Sequence, residues 1–230
     1  MNFFERIYGV FFQPRETMAE IVRKKPVWEG IIVLIVVSLL SSVLAFKVGI
    51  SGQPIQPGPG FSHAPRLNNL FFGFIVFGSI FLNPILYFIY AAIYHFLAEV
   101  LGGEMYWREE KEEGEAVVLG TAKGLYSAVC FAVLPSIFSA LISPFLMKFM
   151  GGIGGVLLGI TVSLGIFIWI AFLNILAIKE NYKLSTGNAA LVFFMPVIVG
   201  IVIAILMAIF LGSVFAGVFS EMMRSMPPIQ

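Results

Sequence analysis

Five long apolar stretches constrain this chain more than any other feature of its sequence. They cover residues 30–48, 69–101, 125–147, 153–178 and 189–217. A helix rises about 1.5 Å per residue, so even the shortest stretch matches a hydrocarbon core about 30 Å thick. The sequence therefore predicts an all-α membrane protein, with a bundle of five transmembrane helices over residues 30–217.

The composition indicates the same class. Hydrophobic residues make up 59% of the 230 residues and charged residues only 12%, whereas a water-soluble domain is about a quarter charged. The net charge of +1 argues against nucleic acid as a partner. With one cysteine, Cys130, the chain has no intramolecular disulfide. All 13 acidic residues are glutamates, which removes any mechanism built on paired aspartates.

Residues 1–29 precede the first apolar stretch and predict two short amphipathic helices. One face of the first helix carries the apolar residues Phe3, Phe4, Ile7, Tyr8 and Phe11. The opposite face carries Asn2, Glu5, Arg6 and Gly9. A helix that is amphipathic but too charged to span lies flat in the membrane interface. Pro14 suits the first turn of the second helix.

Five spans place the two termini on opposite sides of the membrane. If the N-terminus is cytoplasmic, ten of the 14 lysines and arginines lie in the inner segments. Because basic residues accumulate on the cytoplasmic side, this distribution predicts a multi-pass protein of the cell (plasma) membrane with its N-terminus inside and its C-terminus outside. Residues 218–230 are predicted to form a short polar tail.

Prolines interrupt three of the predicted spans. Pro84 lies near the middle of the second span and predicts a kink, Pro135 interrupts the third span, and Pro196 lies near the start of the fifth. Residues 49–68 are rich in proline and glycine, so they are predicted to lie in water without regular structure. Many transporters form their binding sites at interrupted helices of this kind.

The densest charge in the chain lies between the second and third spans, in residues 102–124. The run Arg108–Glu115 has two interpretations. It is either a solvated loop or helix end, or a docking site for another membrane or peripheral protein on the cytoplasmic side.

Small residues recur every four positions in the fourth and fifth spans, which places them on one face of each helix. The first stripe is Gly151, Gly155, Gly159 and Ser163. The second stripe is Gly200, Ala204, Ala208, Gly212 and Ala216. Such stripes let another backbone come close. We therefore predict that they pack, either against each other or against another copy in a homo-oligomer.

Four polar residues lie within or at the end of the spans. His95 and Glu99 are one turn apart near the inner end of the second span. Such a pair can carry protons or bind a metal, or it can be a local pair that snorkels to the interface. Asn83 and Asn174 lie deeper and suit hydrogen bonds between helices, or a contact with a substrate.

Motifs of catalysis are missing from the sequence. It contains no H-E-x-x-H, no G-x-S-x-G and no phosphate-binding loop, and one cysteine with two distant histidines cannot build a tetrahedral metal site. We therefore expect a protein that is not an enzyme, uses no cofactor and acts among membrane lipids. Its predicted role is to organise the membrane or to bind proteins or lipids, with a small-solute or ion transporter or channel as the alternative.

Several short motifs, which follow one another in a fixed order, make the chain similar to a known protein family. They are Phe12-Gln13-Pro14-Arg15-Glu16-Thr17, His95-Phe96-Leu97, Leu101-Gly102-Gly103-Glu104, Leu134-Pro135-Ser136, Tyr182-Lys183-Leu184-Ser185-Thr186-Gly187 and Met195-Pro196. In this order the chain resembles the prokaryotic members of the Yip domain family (Ypt/Rab-interacting proteins). The resemblance implies five transmembrane helices with a cytosolic N-terminus. It also implies kinship with eukaryotic members that act in vesicle traffic and contact prenylated Rab GTPases. It implies no catalytic residue.

Overall fold

The structure, a computed structural model, describes residues 1–52, 64–110, 116–149 and 153–225. Its helices are α1 (Phe3–Phe12), α2 (Pro14–Lys24), α3 (Val27–Gly52), α4 (Ala64–Phe77), α5 (Asn83–Val100), α6 (Ala122–Phe131), α7 (Ser136–Phe149), α8 (Ile153–Tyr182) and α9 (Thr186–Ser225). A π-helical segment, Gly78–Leu82, joins α4 to α5. Strands β1 (Arg108–Glu110) and β2 (Ala116–Val118) form a small antiparallel sheet.

Within the described residues, five helical segments are long and apolar enough to cross a membrane. They are Val27–Phe46, Phe72–Val100, Ala122–Ile142, Ile153–Tyr182 and Thr186–Gly217. The predicted all-α membrane class with five spanning helices is therefore confirmed.

Several boundaries differ from the predicted ones. The first span begins at Val27 rather than residue 30, since the amide of Gly30 already bonds to the carbonyl of Pro26 at 3.0 Å. Residues 49–52 and 64–68, predicted to be irregular, are helical. The prolines between them, at 54, 57 and 59, lie outside the described residues.

The predicted pair of N-terminal helices is confirmed. The backbone amide of Asn2 donates to Glu5 Oε2 at 2.8 Å, which caps the start of α1. Pro14 begins α2, and Lys25 ends it in a left-handed conformation with φ of 53°. These local signals explain why two short helices form here instead of one continuous helix.

The faces of α1 are used differently from the prediction. Phe4, Tyr8 and Phe12 are exposed and available to a membrane surface, but Arg6 and Gly9, predicted to face away from it, are buried. Because Gly9 lacks a Cβ, the Thr17 side chain occupies the space that a Cβ would need. Part of the polar side of α1, at Arg6 and Gly9, is therefore buried instead of facing water, whereas Asn2 and Glu5 remain exposed.

Two prolines reshape two spans. Pro84 cannot donate to the preceding turn, and the amide of Asn83 bonds five residues back to Gly78. The predicted irregularity at Pro84 takes the form of a π-helical turn. Pro135 separates α6 from α7, with the amide of Ser136 bonding to the carbonyl of Val133 at 2.9 Å. The predicted interruption of the third span is confirmed.

The charge-dense segment is not simply a loop or helix end. It contains a β-hairpin in which Arg108 lies opposite Val118 and Glu109 opposite Val117. Aromatic and β-branched residues suit strands, and Trp107 directly precedes β1. Residues 111–115, between the strands, lie outside the described residues.

The described chain forms two compact units, Met1–Phe193 and Phe194–Gln230. In the first unit, α6 lies at the centre. Every residue from Gly124 to Phe131 is buried, and α2, α3, α5 and α8 pack around it.

The second unit consists of the rest of α9, described to Ser225. Its large apolar side chains between residues 194 and 217 are exposed, which suits a helix surrounded by lipid. The helix continues through Pro196, so the predicted break there is wrong. The helix also covers residues 218–225, which we predicted to be a polar tail.

Candidate functional site

Three separate parts of the chain meet at one end of the unit Met1–Phe193, and together we call them the cap. The cap consists of residues 1–26, the described residues of 101–121, and residues 179–185. Long-range ion pairs and hydrogen bonds join these parts. The cap is the polar end of an otherwise apolar unit, so its geometry decides what this end of the protein can bind.

Arg6 is a buried cation at the N-terminal end of the cap. Its Nη1 bonds to Glu29 Oε2, its Nη2 donates to the carbonyl of Met1 at 2.8 Å, and its Nε lies 3.5 Å from Glu20 Oε1. Glu20 also pairs with the N-terminal ammonium at 2.9 Å and with Lys24 at 3.3 Å. Since a buried charge is costly unless it is paired, this network fixes α1 against α2 and the first turn of α3.

Glu20 and Lys25, which lie in the cap outside the spanning helices, have perturbed pKa values. Burial acts to raise the pKa of Glu20, but the N-terminal ammonium and Lys24 outweigh it and lower that pKa below its ordinary value. Burial first, and nearby Lys123 second, lower the pKa of Lys25. The Glu20 carboxylate therefore stays ionised at neutral pH and can hold its cationic partners.

Arg23 fastens the hairpin to α2. Its Nε and Nη2 donate to the two carboxylate oxygens of Glu109 at 2.7 and 2.9 Å. This bidentate geometry is the strongest form of an arginine–carboxylate pair. Lys25 adds a second link, because its Nζ donates to the carbonyl of Val118 at 2.5 Å. Each strand of the hairpin is thus tied to the end of α2.

Tyr182, the last residue of α8, joins the hairpin segment to α5. Its ring is fully buried, and its hydroxyl lies 2.6 Å from His95 Nδ1. Its carbonyl accepts a hydrogen bond from the amide of Glu104 at 2.9 Å. The carbonyl of the preceding residue, Asn181, accepts from Trp107 Nε1 at 3.0 Å.

A tight turn makes these contacts possible. Gly102 has φ of +80°, a conformation that ends helices and favours glycine. The amide of Gly103 then bonds back to the carbonyl of Ala98 at 2.8 Å. The turn leaves Glu104 within 3.0 Å of Lys183 Nζ, and that Nζ also lies 3.8 Å from the centroid of a ring of Trp107.

Two of the clefts formed by described residues of the cap lie along α2. The smaller, of about 220 Å³, lies between α2, the hairpin and the end of α8. The larger, of about 780 Å³, follows α2 towards the N-terminus. Arg23 and Glu180 line both clefts, so the two are neighbours. Charges of both signs line each of them.

The predicted polar residues have the following places. His95 contacts Tyr182, and among the described residues no ion pair joins His95 to Glu99, which is exposed. His95 thus contacts α8, and its local pair with Glu99 stays a prediction. The Nδ2 of Asn174 donates to the carbonyl of Ile170 on its own helix at 2.8 Å. Asn83 is half-buried at the start of α5.

Several residues of the small-residue stripes have room for a larger side chain. An added Cβ at Gly159, Gly200 or Gly212 would meet no described atom within 4 Å. Ala204 and Ala208 are exposed, as is Ser163, whereas Gly155 is half-buried. Gly151 lies outside the described residues. Packing through these stripes stays a prediction.

Comparisons with known proteins bear on this architecture. The family model of the Yip1 domain matches residues 8–220. The chain belongs to this family. The match includes α2, the hairpin and the end of α8, so the cap is largely part of the Yip1 domain. Comparisons with curated proteins and with solved structures find no match.

Sequence reasoning missed the residues that organise the cap of this Yip1 domain. The helical periodicity places Arg6 on the polar face of α1, and the sequence marks Tyr182 only as part of a motif. The partners of these residues lie 23 and 87 positions away in sequence, so no local pattern reveals them. A signal did exist for the hairpin, since Tyr106, Trp107 and Val117 favour strands.

Proposed function

We propose that this Yip1-domain protein is not an enzyme and that it acts by binding proteins or lipids at its cap. The observation that supports this most is the ordered polar surface that the cap presents at the end of the spans. Ion pairs from α2 and hydrogen bonds from α8 hold that surface in place. A preformed surface lowers the entropic cost of binding a partner.

Cys130 and His95, two chemically reactive residues in the described part of the chain, are both engaged in packing or hydrogen bonding. Cys130 is fully buried in the core, and His95 bonds to the hydroxyl of Tyr182. These placements support a role in packing for both residues. They favour binding over chemistry as the activity of the protein.

A transporter or channel is the second candidate. It is favoured by the π-helical turn before Pro84 and by the break at Pro135, because interrupted helices expose backbone groups to a pathway. Against it, neither Asn83 nor Asn174 lines the clefts of the cap, and Asn174 donates to its own helix.

We further propose the cell membrane as the location, with the cap in the cytoplasm and the C-terminus outside. The distribution of lysine and arginine supports this orientation. The described parts of the cap contain eight basic residues, namely Arg6, Arg15, Arg23, Lys24, Lys25, Arg108, Lys179 and Lys183.

Site-specific crosslinking in native membranes tests the proposed function. A photoreactive residue at exposed Arg15, beside the larger cleft, should give discrete and saturable adducts with a protein or a lipid. The same residue at exposed Ile209 reports background contact with bulk lipid. In parallel, proteoliposomes containing the full chain should keep small ions inside. Ion leakage through the parent protein, without discrete adducts at position 15, would favour the transporter instead.

A further inference from the structure

The smaller cleft of the cap has an apolar floor and a charged rim. Its floor includes Val22 of α2, Leu119 and Leu184, all buried. Its rim includes Lys179 and Glu180 from the last turn of α8. A volume of about 220 Å³ is large enough for a small polar group bearing more than one charge.

The rim charges separate into paired and unpaired groups. Arg23 and Glu109 satisfy each other, and Lys183 pairs with Glu104. Lys179 and Glu180 line the same cleft, and neither has an ion-pair partner among the described residues. The cleft thus offers one ammonium and one carboxylate to a ligand, side by side in the chain. It does not present the cluster of four or more basic residues that attracts anionic lipids.

The depth of Lys179 places this cleft at the membrane surface. Residues 153–178 contain no charged side chain, and Lys179 is the first charge that follows them in α8. At about 1.5 Å per residue, that uncharged stretch is longer than a hydrocarbon core of about 30 Å. Lys179 and Glu180 therefore lie at the level of lipid headgroups.

The face of α8 below the cleft is open to acyl chains. Phe172 lies seven residues before Lys179, so the two share one helix face. Phe172 is exposed, as is Ile168 one turn further into the membrane. A lipid whose chains lie along this face would have its headgroup beside Lys179.

We propose that the cleft binds the headgroup of a zwitterionic phospholipid that carries a primary ammonium. Lys179 contacts the phosphate and Glu180 accepts hydrogen bonds from the ammonium, which leaves both charges of the ligand and both unpaired charges of the rim satisfied. This inference rests on the proposed function and names one lipid partner for it. The choline headgroup fits less well because its quaternary ammonium has no N–H to donate, and the glycerol headgroup lacks the cation.

Native mass spectrometry of the detergent-solubilised full chain tests the assignment. Dioleoyl phosphatidylethanolamine, phosphatidylcholine and phosphatidylglycerol are titrated separately, and the parent should retain the ethanolamine lipid about tenfold more tightly than the other two. Glu180→Gln keeps the shape of the side chain and should abolish that preference. Lys179→Ala should weaken binding of all three lipids, since each carries a phosphate. Soluble phosphoethanolamine serves as a competitor that has the headgroup but no acyl chains. It should displace the lipid if the headgroup is bound in the cleft, and it should not do so if the acyl chains alone adhere to the protein.

Two control variants remove charges at the same end of the protein without touching the cleft. Lys123 and Glu99 are exposed and line neither cleft, so Lys123→Ala and Glu99→Gln should retain the parent's lipid preference. Equal binding of the three lipids by the parent would overturn the proposal, as would a preference that survives both Lys179→Ala and Glu180→Gln. Discrete adducts at position 15 would still support the proposed function in that case.

Discussion

Gly9 is a point of close approach between α1 and α2. A Cβ at this position would collide with Thr17 and lie 3.0 Å from Met1 Cε. Thr17 is fully buried and has little room to yield. The absence of a side chain at one position therefore sets the distance between two helices.

Gly9→Ala should destabilise the protein by about 1–3 kcal/mol, the usual cost of overpacking. The measurement is thermal unfolding in detergent, followed by circular dichroism. Gly73→Ala is the matched control, because a Cβ there meets nothing within 4 Å. In a helix interior that change should instead be neutral or stabilise by up to about 1 kcal/mol. Equal melting shifts for the two variants would contradict the close packing at Gly9.

Tyr182→Phe should cost about 1–3 kcal/mol, because it removes the hydroxyl and leaves the buried side of His95 without its partner. Tyr94→Phe is the control: Tyr94 is also buried, and the described structure records no hydrogen bond of its hydroxyl. The melting temperature should fall clearly in the first variant and little in the second. A larger fall for Tyr94→Phe would show that the contact with His95 contributes little to stability.

At the scale of the elements, the hairpin is held by a few contacts with distant parts of the chain. Only a few residues separate it from α5 and from α6, and the bidentate pair between Arg23 and Glu109 ties it to α2. The pair is partly exposed, so its contribution is expected to be modest, about 0.2–1 kcal/mol.

A double-mutant cycle measures that contribution. Arg23→Ala, Glu109→Ala and the double variant should give a coupling energy of about 0.2–1 kcal/mol in thermal unfolding. The cycle with Glu104→Ala and Lys183→Ala provides a comparison with a pair that has one close contact, at 3.0 Å. If the Arg23 and Glu109 changes are strictly additive, the pair does not hold the hairpin.

Among the secondary-structure elements, the sequence predicts those that depend on local chemistry. The five spans follow from composition, the two N-terminal helices from periodicity and Pro14, and the interruption of the third span from Pro135. The hairpin and the cap do not follow in this way, because Glu109 and Trp107 find their partners on distant elements. Arg6 illustrates the same limit: its charge predicts exposure, and only the acidic groups around it permit burial.

At the scale of the whole molecule, five candidate spans lie within the described residues, so we expect the two ends of the chain to lie on opposite sides of the membrane. We expect a reporter fused at the C-terminus that is active only outside the cytoplasm to be active, and a cytoplasmic reporter at the same place to be silent. Fusions inserted after Gly102, in the cap, should give the opposite result. A cytoplasmic C-terminus would contradict the predicted topology.

The small-residue stripes carry the predicted assembly of the protein. Gly159→Leu and Ala208→Leu should each lower the melting temperature in detergent, by the equivalent of about 1–3 kcal/mol, if another helix packs there. Ile205→Leu, at an exposed apolar position, keeps the side-chain volume and should have almost no effect. If both leucine variants melt like the parent while a dimer disappears, the stripes serve self-association. If neither stability nor dimerisation changes, the stripes face lipid.

The packing of α2 against α8 has a consequence for how the protein is made. Helix α2 emerges from the ribosome early, but residues 179–185, which complete the cap, follow only after most of the chain has been synthesised. At about 5–20 residues per second this interval is on the order of ten seconds or more. Until then the apolar side of α2, which includes Met18, Ile21 and Val22, has no α8 to cover it. Before α8 is synthesised, only the membrane surface can cover this apolar side. Because α8 is then missing from the packing around α2, a nascent chain that stalls before α8 should be cleaved early by membrane proteases.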